Sequence, residues 1–495
     1  MKYELSKSKY CKGIQCPKIL WLDENKPEVA EEISSESVLE TGTKVGELAR
    51  SYFGEYDLVA FNRDKQKMVE QTAHFMMTSN NIAEASFYFD GLFCAVDILH
   101  RNGNGWGIVE VKSSTEVSDI YIEDMAFQYY VLLNCSVPVQ HIYNLHIDNT
   151  YVRNGPLEIK KLLMLEDCTD AVIRRFCEIK DQEKINKIRE YMKAKVEPPK
   201  DIDCCCDKPY ECVYKKYCGR HLPEYSVFNL ARMQTKKKYE LYHQGIISYE
   251  DIIKNADKIN VNQKRQVESV LYHMPDTYDK EEIRNFLNTL SYPLYHLDFE
   301  TFQQAIPEFD GCRPYEQIPF QYSLHIEYAD GHLEHREFLA KEGKDPRREL
   351  AESLIKDIPE NVCAAAYNMS FEKTVIRHLA SSFLDLSDHL MNIYNNMHDL
   401  MIPFQKQYYY SAAMQGSYSI KYVLPALWPG DPELDYHNLN GVHNGSEASA
   451  SFADMANHTP EEIAVMRKNL LQYCGLDTYA MVKVLRKLRE VVEEA

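Results

Sequence analysis

"YPLYHLDFETF", residues 292–302, decides how the C-terminal half of this chain is read. Apolar and aromatic side chains run almost unbroken through it, as in a core strand. Two acids, Asp298 and Glu300, interrupt the run. Side chains alternate along a strand, so both acids face one side, while Leu297 and Phe299 anchor the other. A buried carboxylate without a partner is costly. The spacing predicts either a solvated strand end or a positive charge held between the two acids.

Further acids follow downstream. "NVCAAAYNMSFEKTVIRHL" (361–379) reads strand, turn, helix, with Ser370 as N-cap and Glu372 in the first turn. "LLQYCGLDTYAMVKVL" (470–485) is an amphipathic helix with Tyr473 and Asp477 four apart, hence on one face. Each has a plainer explanation. Glu372 complements the helix dipole whatever else it does; Tyr473 can be core and Asp477 a surface acid. Together, they are what a site for two divalent ions about 4 Å apart needs, with Tyr473 orienting or deprotonating water.

That order resembles the DEDD family of 3′–5′ exonucleases, DnaQ-like with an RNase H-like fold, in its tyrosine variant. The resemblance implies Mg²⁺ or Mn²⁺ ligation by Asp298, Glu300, Glu372 and Asp477, with Tyr473 positioning water. The family usually has aspartate where Glu372 stands; Asp399, in "MHDLMIPF", is the substitute, read here as capping or positioning a helix. The strings "YPLYHLDFETF", "RPYEQIPFQYSLH", "AYNMSFE", "GSYSIKYVLPAL" and "YCGLDTYAMV" together resemble the bacterial domain-of-unknown-function 2779 family, over roughly 290–430 plus the final helix. Within "MQGSYSIKYVLPAL", Gly416, Ser417, Ser419 and Lys421 can contact a phosphate backbone, or the loop can simply cap the next helix.

Toward the N-terminus, "FCAVDILH" (93–100) and "GWGIVEVKSS" (105–114) read as strands joined by a hairpin turn, "RNGNG". Glu110 and Lys112 share a face, and Asp97 on the paired strand can reach them. Two carboxylates suit Mg²⁺, and a lysine beside it can orient water or stabilise phosphate charge. A solvated Glu–Lys pair is the plainer alternative. The arrangement resembles the RecB-like branch of the PD-(D/E)xK nucleases. This implies roles for Gln128 and Tyr130 in the following helix, "IEDMAFQYYVLLNC" (122–135), and for Glu84 as a further metal ligand; His74 is a weaker addition.

Five of the 14 cysteines lie within residues 204–218. In a reducing compartment such clustering favours metal ligation over disulfides. Cys206, Cys212 and Cys218 are spaced C-x5-C-x5-C, and Cys16 is the best fourth ligand, with Cys11 behind it. RecB-like nucleases with an iron–sulfur staple have this layout, which implies a 4Fe–4S cluster on Cys16, Cys206, Cys212 and Cys218. Zinc is the alternative, and Cys204 and Cys205 are spare or substitute ligands.

The 495 residues are 45% hydrophobic and 26% charged, as in an ordinary globular protein with more than one core. A net charge of −19 argues against coating nucleic acid through bulk positive charge but leaves room for a local basic groove. The polar start, "MKYELSKSKYCKG", is unlike a secretory signal, and no stretch approaches the roughly 18 apolar residues of a membrane span. We therefore expect a cytoplasmic, multidomain α/β protein with no membrane partner. Its expected parts are a restriction-endonuclease-like module (1–222) with a charged helix over 168–195, a helical connector (223–290) and an RNase H-like domain (291–495). The expected function is a metal-dependent nuclease acting on nucleic acid, DNA ahead of RNA. Alternatives are an end-binding subunit working with a partner helicase or other repair or defence protein, and a metal-stapled scaffold.

Overall fold

A computed structural model of the chain describes residues 5–32, 36–179 and 183–493. It is mixed α/β, with a seven-stranded, a five-stranded and a two-stranded sheet. The chain divides into two compact units: Met1–His221 with Gln304–Tyr315, and Leu222–Gln303 with Glu316–Ala495. The expected connector, 223–290, thus falls inside the second unit, and 304–315 falls in the first. The connector is helical as expected, but its last helix, Lys280–Leu287, puts Ile283 and Phe286 into the second unit's core. Burying that apolar face leaves it no independence as a linker. No described helix is long and apolar enough to cross a membrane.

In the first unit, strands Asn81–Phe89, Leu92–Asn102 and Gly105–Lys112 form an antiparallel meander. Gly103, at φ +55°, supplies the left-handed residue that the expected hairpin needs. Helix Asp119–Asn134 then crosses over to strand Val139–Ile147, which lies parallel to Gly105–Lys112. This helix packs Met125, Phe127, Val131 and Leu132 into the core. The charged segment 168–195 forms two helices, Thr169–Ile179 and Glu183–Met192; residues 180–182 lie outside the described residues.

In the second unit, the strand that opened the reading, Leu294–Phe302, is the centre of the five-stranded sheet. On one side it pairs antiparallel with Ile318–Glu327, which pairs antiparallel with Leu333–Leu339. On the other it pairs parallel with Cys363–Ala366, and that strand with Met397–Asp399. Leu297 and Phe299 enter a core with Leu354, Val375 and Leu379. The opposite face meets the 34-residue helix Pro460–Glu493. That face is polar: Ser323 Oγ and Thr478 Oγ1 lie 2.6 Å apart, Gln321 Nε2 donates to Leu470 O at 2.9 Å, and His325 Nδ1 lies 2.7 Å from Thr478 Oγ1. Burial and the neighbouring His335 and His296 push His325 down to about 3, so it is neutral here.

Ser370 is not an N-cap. It is the first residue of helix Ser370–Ser382, and Met369 occupies the cap position without a side-chain bond. The preceding turn is set by Asn368, at φ +66°, whose N–H donates to Asp399 Oδ1 at 2.9 Å.

Candidate functional site

In the second unit, Asp298, Glu300, Glu372, Tyr473 and Asp477 come together, drawn from the central strand, the first turn of helix Ser370–Ser382 and the long helix. Asp298 is half-buried, whereas Glu300 and Glu372 are 7% and 3% exposed. Burial, then Asp477, Glu300 and Glu372, drive Asp298 well above the usual carboxylate range. Burial, then Asp477 and Glu372, do the same to Glu300. Glu372 is pushed up to about 8 by burial and the nearby Asp399, and Asp477 to about 6 by burial. Glu372 Oε2 is buried without a hydrogen-bond partner. Carboxylates this crowded want positive charge between them.

Lys421, exposed on helix Ile420–Leu427, is the cation whose charge steadies Glu300 and Asp477. Ser417 points its chemistry inward along its own loop instead: its Oγ accepts from Ser419 N at 3.2 Å. Asp399 behaves as the sequence suggested, accepting from Met401 N, the cap of the next short helix, at 2.9 Å.

Two neighbours escaped the sequence reading. Tyr436 Oη donates to Asp477 Oδ1 at 2.5 Å, and the rings of Tyr436 and Tyr473 lie 5.9 Å apart. Cys474 Sγ sits 3.8 Å from Asp298 Oδ2, and ligand atoms of Asp298, Glu300 and Cys474 all fall within 4.8 Å of one another. Cys474 directly follows Tyr473, so its place was legible in outline; Tyr436 opens a three-residue 3-10 helix, Tyr436–Asn438, too short to show a periodicity. A Cβ on Gly445, which opens helix Gly445–Asp454, would stand 3.6 Å from Glu300 Oε2, so little room separates that helix from the acids.

The first unit gathers Asp97, Glu110 and Lys112, and adds two residues that sequence reasoning missed. Lys112 Nζ donates to Glu110 Oε1 at 2.6 Å and to Asp124 Oδ2 at 3.2 Å. Lys7 Nζ, from the first turn of helix Lys7–Gln15, donates to Glu110 Oε1 at 3.0 Å and approaches Asp124 at 3.8 Å and Asp97 at 3.9 Å. Asp97 Oδ2 accepts from Val111 N at 2.7 Å. Burial opposes the charge on Glu110, but Lys112 and Lys7 outweigh it and hold Glu110 below the usual carboxylate range. Asp97 goes the other way, to about 7, through burial and the adjacent Glu110. Asp124 was findable, one turn before Gln128; Lys7 was not, at 103 positions from Glu110.

Gln128 is at this site, donating to Glu110 Oε2 at 2.7 Å and Asp124 Oδ1 at 3.2 Å. Tyr130 is a correction. Two positions on, it points round the helix into the core, against Phe89 and Phe176. The aromatic beside Lys112 is Tyr121, with Lys112 Nζ 5.0 Å from its ring centre. Glu84, at φ +59°, stands between the register partners of Ile98 and Val96 and so opposite Asp97, with Arg50 3.6 Å away. His74 is exposed on helix Lys65–Thr78.

The cysteines separate into two groups. Cys11 lies by the carboxylates, its thiol raised by burial and by Asp124. Cys16, Cys206, Cys212 and Cys218 interact with one another, and Cys205 hydrogen-bonds to both Cys16 and Cys206. The Cys205 contact brings Cys16 down to about 6 and Cys206 to about 7, while burial raises Cys212 to about 11. Burial raises Cys218 as well, so two of the four thiols ionise readily; thiols held near one another in this way suit a soft metal or an iron–sulfur cluster.

Residues 295–419 match the model of a family described as a domain of unknown function, DUF2779. The match takes in Asp298, Glu300, Glu372 and Ser417 and stops short of Lys421, Tyr473 and Asp477. Among curated proteins the chain is similar to "Uncharacterized protein UU173" of Ureaplasma parvum serovar 3 (strain ATCC 700970), 25% identical over 223 residues that cover 40% of this chain and 32% of the relative. The chain thus spans about a third of the length of the curated relative it matches.

Proposed function

We propose that this chain is a divalent-metal-dependent nuclease, with a 3′–5′ exonuclease-like site in the second unit and a RecB-like PD-(D/E)xK site in the first. The observation that carries the reading is the second unit's carboxylate quartet: Asp298, Glu300, Glu372 and Asp477, each raised by burial, with the buried Glu372 Oε2 unpartnered. Hard oxygen donors in that number suit Mg²⁺ or Mn²⁺. The sheet order also supports an RNase H-like fold, since the third, second, first, fourth and fifth strands of the sheet follow one another across it.

When bound, the ions would activate water and stabilise the leaving oxygen of a phosphodiester. The chain's own residues do the rest. Tyr436 fixes Asp477. Burial and the surrounding acids hold the Tyr473 phenol far above its usual range. In the metal-free chain it therefore stays protonated, placed to orient water as a donor. Lys421 carries positive charge to the same acids and is placed to meet a phosphate. In the first unit, Glu110 is ionised and Lys112 is bound to it, with Gln128 fixing both Glu110 and Asp124. Cys16, Cys206, Cys212 and Cys218 would hold a 4Fe–4S cluster, zinc being the alternative. The substrate in this reading is DNA ahead of RNA.

One observation favours a second reading of the first unit alone. Lys7 and Lys112 already neutralise its acids, which fits a site that holds a strand for a partner helicase or nuclease instead of cutting it. Both readings are tested with Mn²⁺ on 5′- and 3′-labelled single-stranded DNA, double-stranded DNA and RNA. Asp298→Ala is expected to abolish shortening from the 3′ end. Asp97→Ala removes a separate activity if the first site cuts and changes no product if it only binds. Wild-type protein that leaves all three substrates intact overturns the nuclease reading.

A further inference from the structure

The second unit contains another polar feature, a cleft lined in part by Arg232, Asn260, Asn262, Gln405, Gln407 and Tyr418. No aspartate or glutamate lines it among the described residues, although acids outnumber lysines plus arginines 75 to 56 in the chain. Arg232 is exposed, and its guanidinium lies 3.6 Å from the centre of the Tyr418 ring. No carboxylate pairs with it among the described residues. Its backbone is left-handed, φ +55°, a conformation that costs a non-glycine residue on the order of 1 kcal/mol and marks a position held for a reason.

The rest of the lining has matching chemistry. Asn260 gives its carbonyl to Gln263 N at 2.9 Å, and Gln407 gives its carbonyl to Arg265 at 2.8 Å. Both therefore offer a ligand N–H donors. Gln405 reaches the Tyr418 hydroxyl at 3.5 Å. The cleft shares a loop with the carboxylate site: three residues after Tyr418 comes Lys421, whose charge acts on Glu300 and Asp477. Tyr367 links the same two places, donating to Tyr418 O at 2.8 Å while lying near Asp399.

We propose that the Arg232–Tyr418 pair at the mouth of this cleft stacks an unpaired nucleobase of the strand whose end reaches the carboxylate site, the cleft itself, about 60 Å³, being too small to enclose one. The inference rests on the nuclease reading for naming a strand as the ligand. A stacked Arg–Tyr pair presents a flat, cationic face to a base and its phosphate. Carboxamides supply donors and acceptors for base edges. The acid-free wall leaves the phosphate unopposed.

The test is fluorescence anisotropy of labelled single-stranded 15-mers on the full chain in Ca²⁺, with cleavage followed separately in Mn²⁺. Arg232→Gly and Tyr418→Leu are each expected to weaken binding about 5- to 100-fold, the range of one lost stacking contact. Glycine suits the left-handed position, so Arg232→Gly keeps its melting temperature and carries the test even if Tyr418→Leu misfolds. Wild-type affinity in Arg232→Gly overturns the proposal, as does a wild-type protein that does not bind the oligomers. If nucleoside monophosphates displace the 15-mer at equal concentration, the cleft serves free nucleotides and the strand assignment falls. Loss of affinity in the variants, without any wild-type cleavage, keeps the cleft and sinks only the nuclease reading.

Discussion

In the first unit, Asp97, Glu110 and Asp124 surround two lysine ammonium groups; in the second, Asp298, Glu300, Glu372 and Asp477 face one another, with the exposed Lys421 acting on Glu300 and Asp477. The consequences differ. In the first site the lysines hold Glu110 below the ordinary carboxylate range although burial raises Asp97 and Asp124, whereas all four acids of the second site are driven above it. A site with built-in lysines is neutralised by folding itself. A site whose lysine, Lys421, is exposed gains most from a cation that arrives afterwards.

The largest effect expected from this contrast is on metal affinity. Calorimetric titration with Mn²⁺ should lose the second-site event in Asp298→Asn, by about 100-fold or more, since loss of even a supporting residue of a metal site costs 10–100-fold. The contrast breaks if Asp97→Asn costs more affinity than Asp298→Asn. Next in size is Lys7→Ala. Removing one partner from a buried ionic cluster costs about 3 kcal/mol, and denaturant unfolding of the metal-free protein should show it as an earlier transition. Added Mn²⁺ should recover part of the loss, because the ion takes over the ammonium's role.

Glu372→Gln should act in the other direction. Its carboxyl titrates near 8 in the folded chain, above the roughly 4.3 of an unfolded glutamate. A raised carboxyl contributes stability that is present below the unfolded value and lost as pH rises through the folded one. Metal-free wild type should therefore weaken between about pH 4.3 and 8 and level off above that. Glu372→Gln should flatten that slope and be more stable at pH 9 by about 1–2 kcal/mol. Melting curves across that range check the sign. The smallest effect is expected at the thiols: under the proposed cluster ligation, Cys206→Ser should bind less iron on reconstitution than wild type, while Cys205→Ser should match it. The reverse ranking would make Cys205 the ligand.

Much of this was legible in local spacing. Asp298 and Glu300 share a face because strand side chains alternate, and Tyr473 and Asp477 share one because they are four apart on a helix. The hairpin that pairs Asp97 with Glu110 was marked by its glycine-containing turn. Tyr130 went astray because a two-residue step on a helix turns a side chain by roughly 200°, away from Gln128 and into the core. The fate of residues 223–290 depended on whether Ile283 and Phe286 found an apolar partner, which composition does not reveal.

By itself, the sequence determined which residues can carry charge to a site, where strands and helices run, and that thiols gather near residues 204–218. Tertiary structure alone decided the charge balance. Lys7 reaches Glu110 across 103 positions, and Tyr436 reaches Asp477 across 41. No periodicity links positions that far apart in the chain. Electrostatic energy depends on distance in space and on burial, and both are fixed only when the sheet and its helices close around the acids.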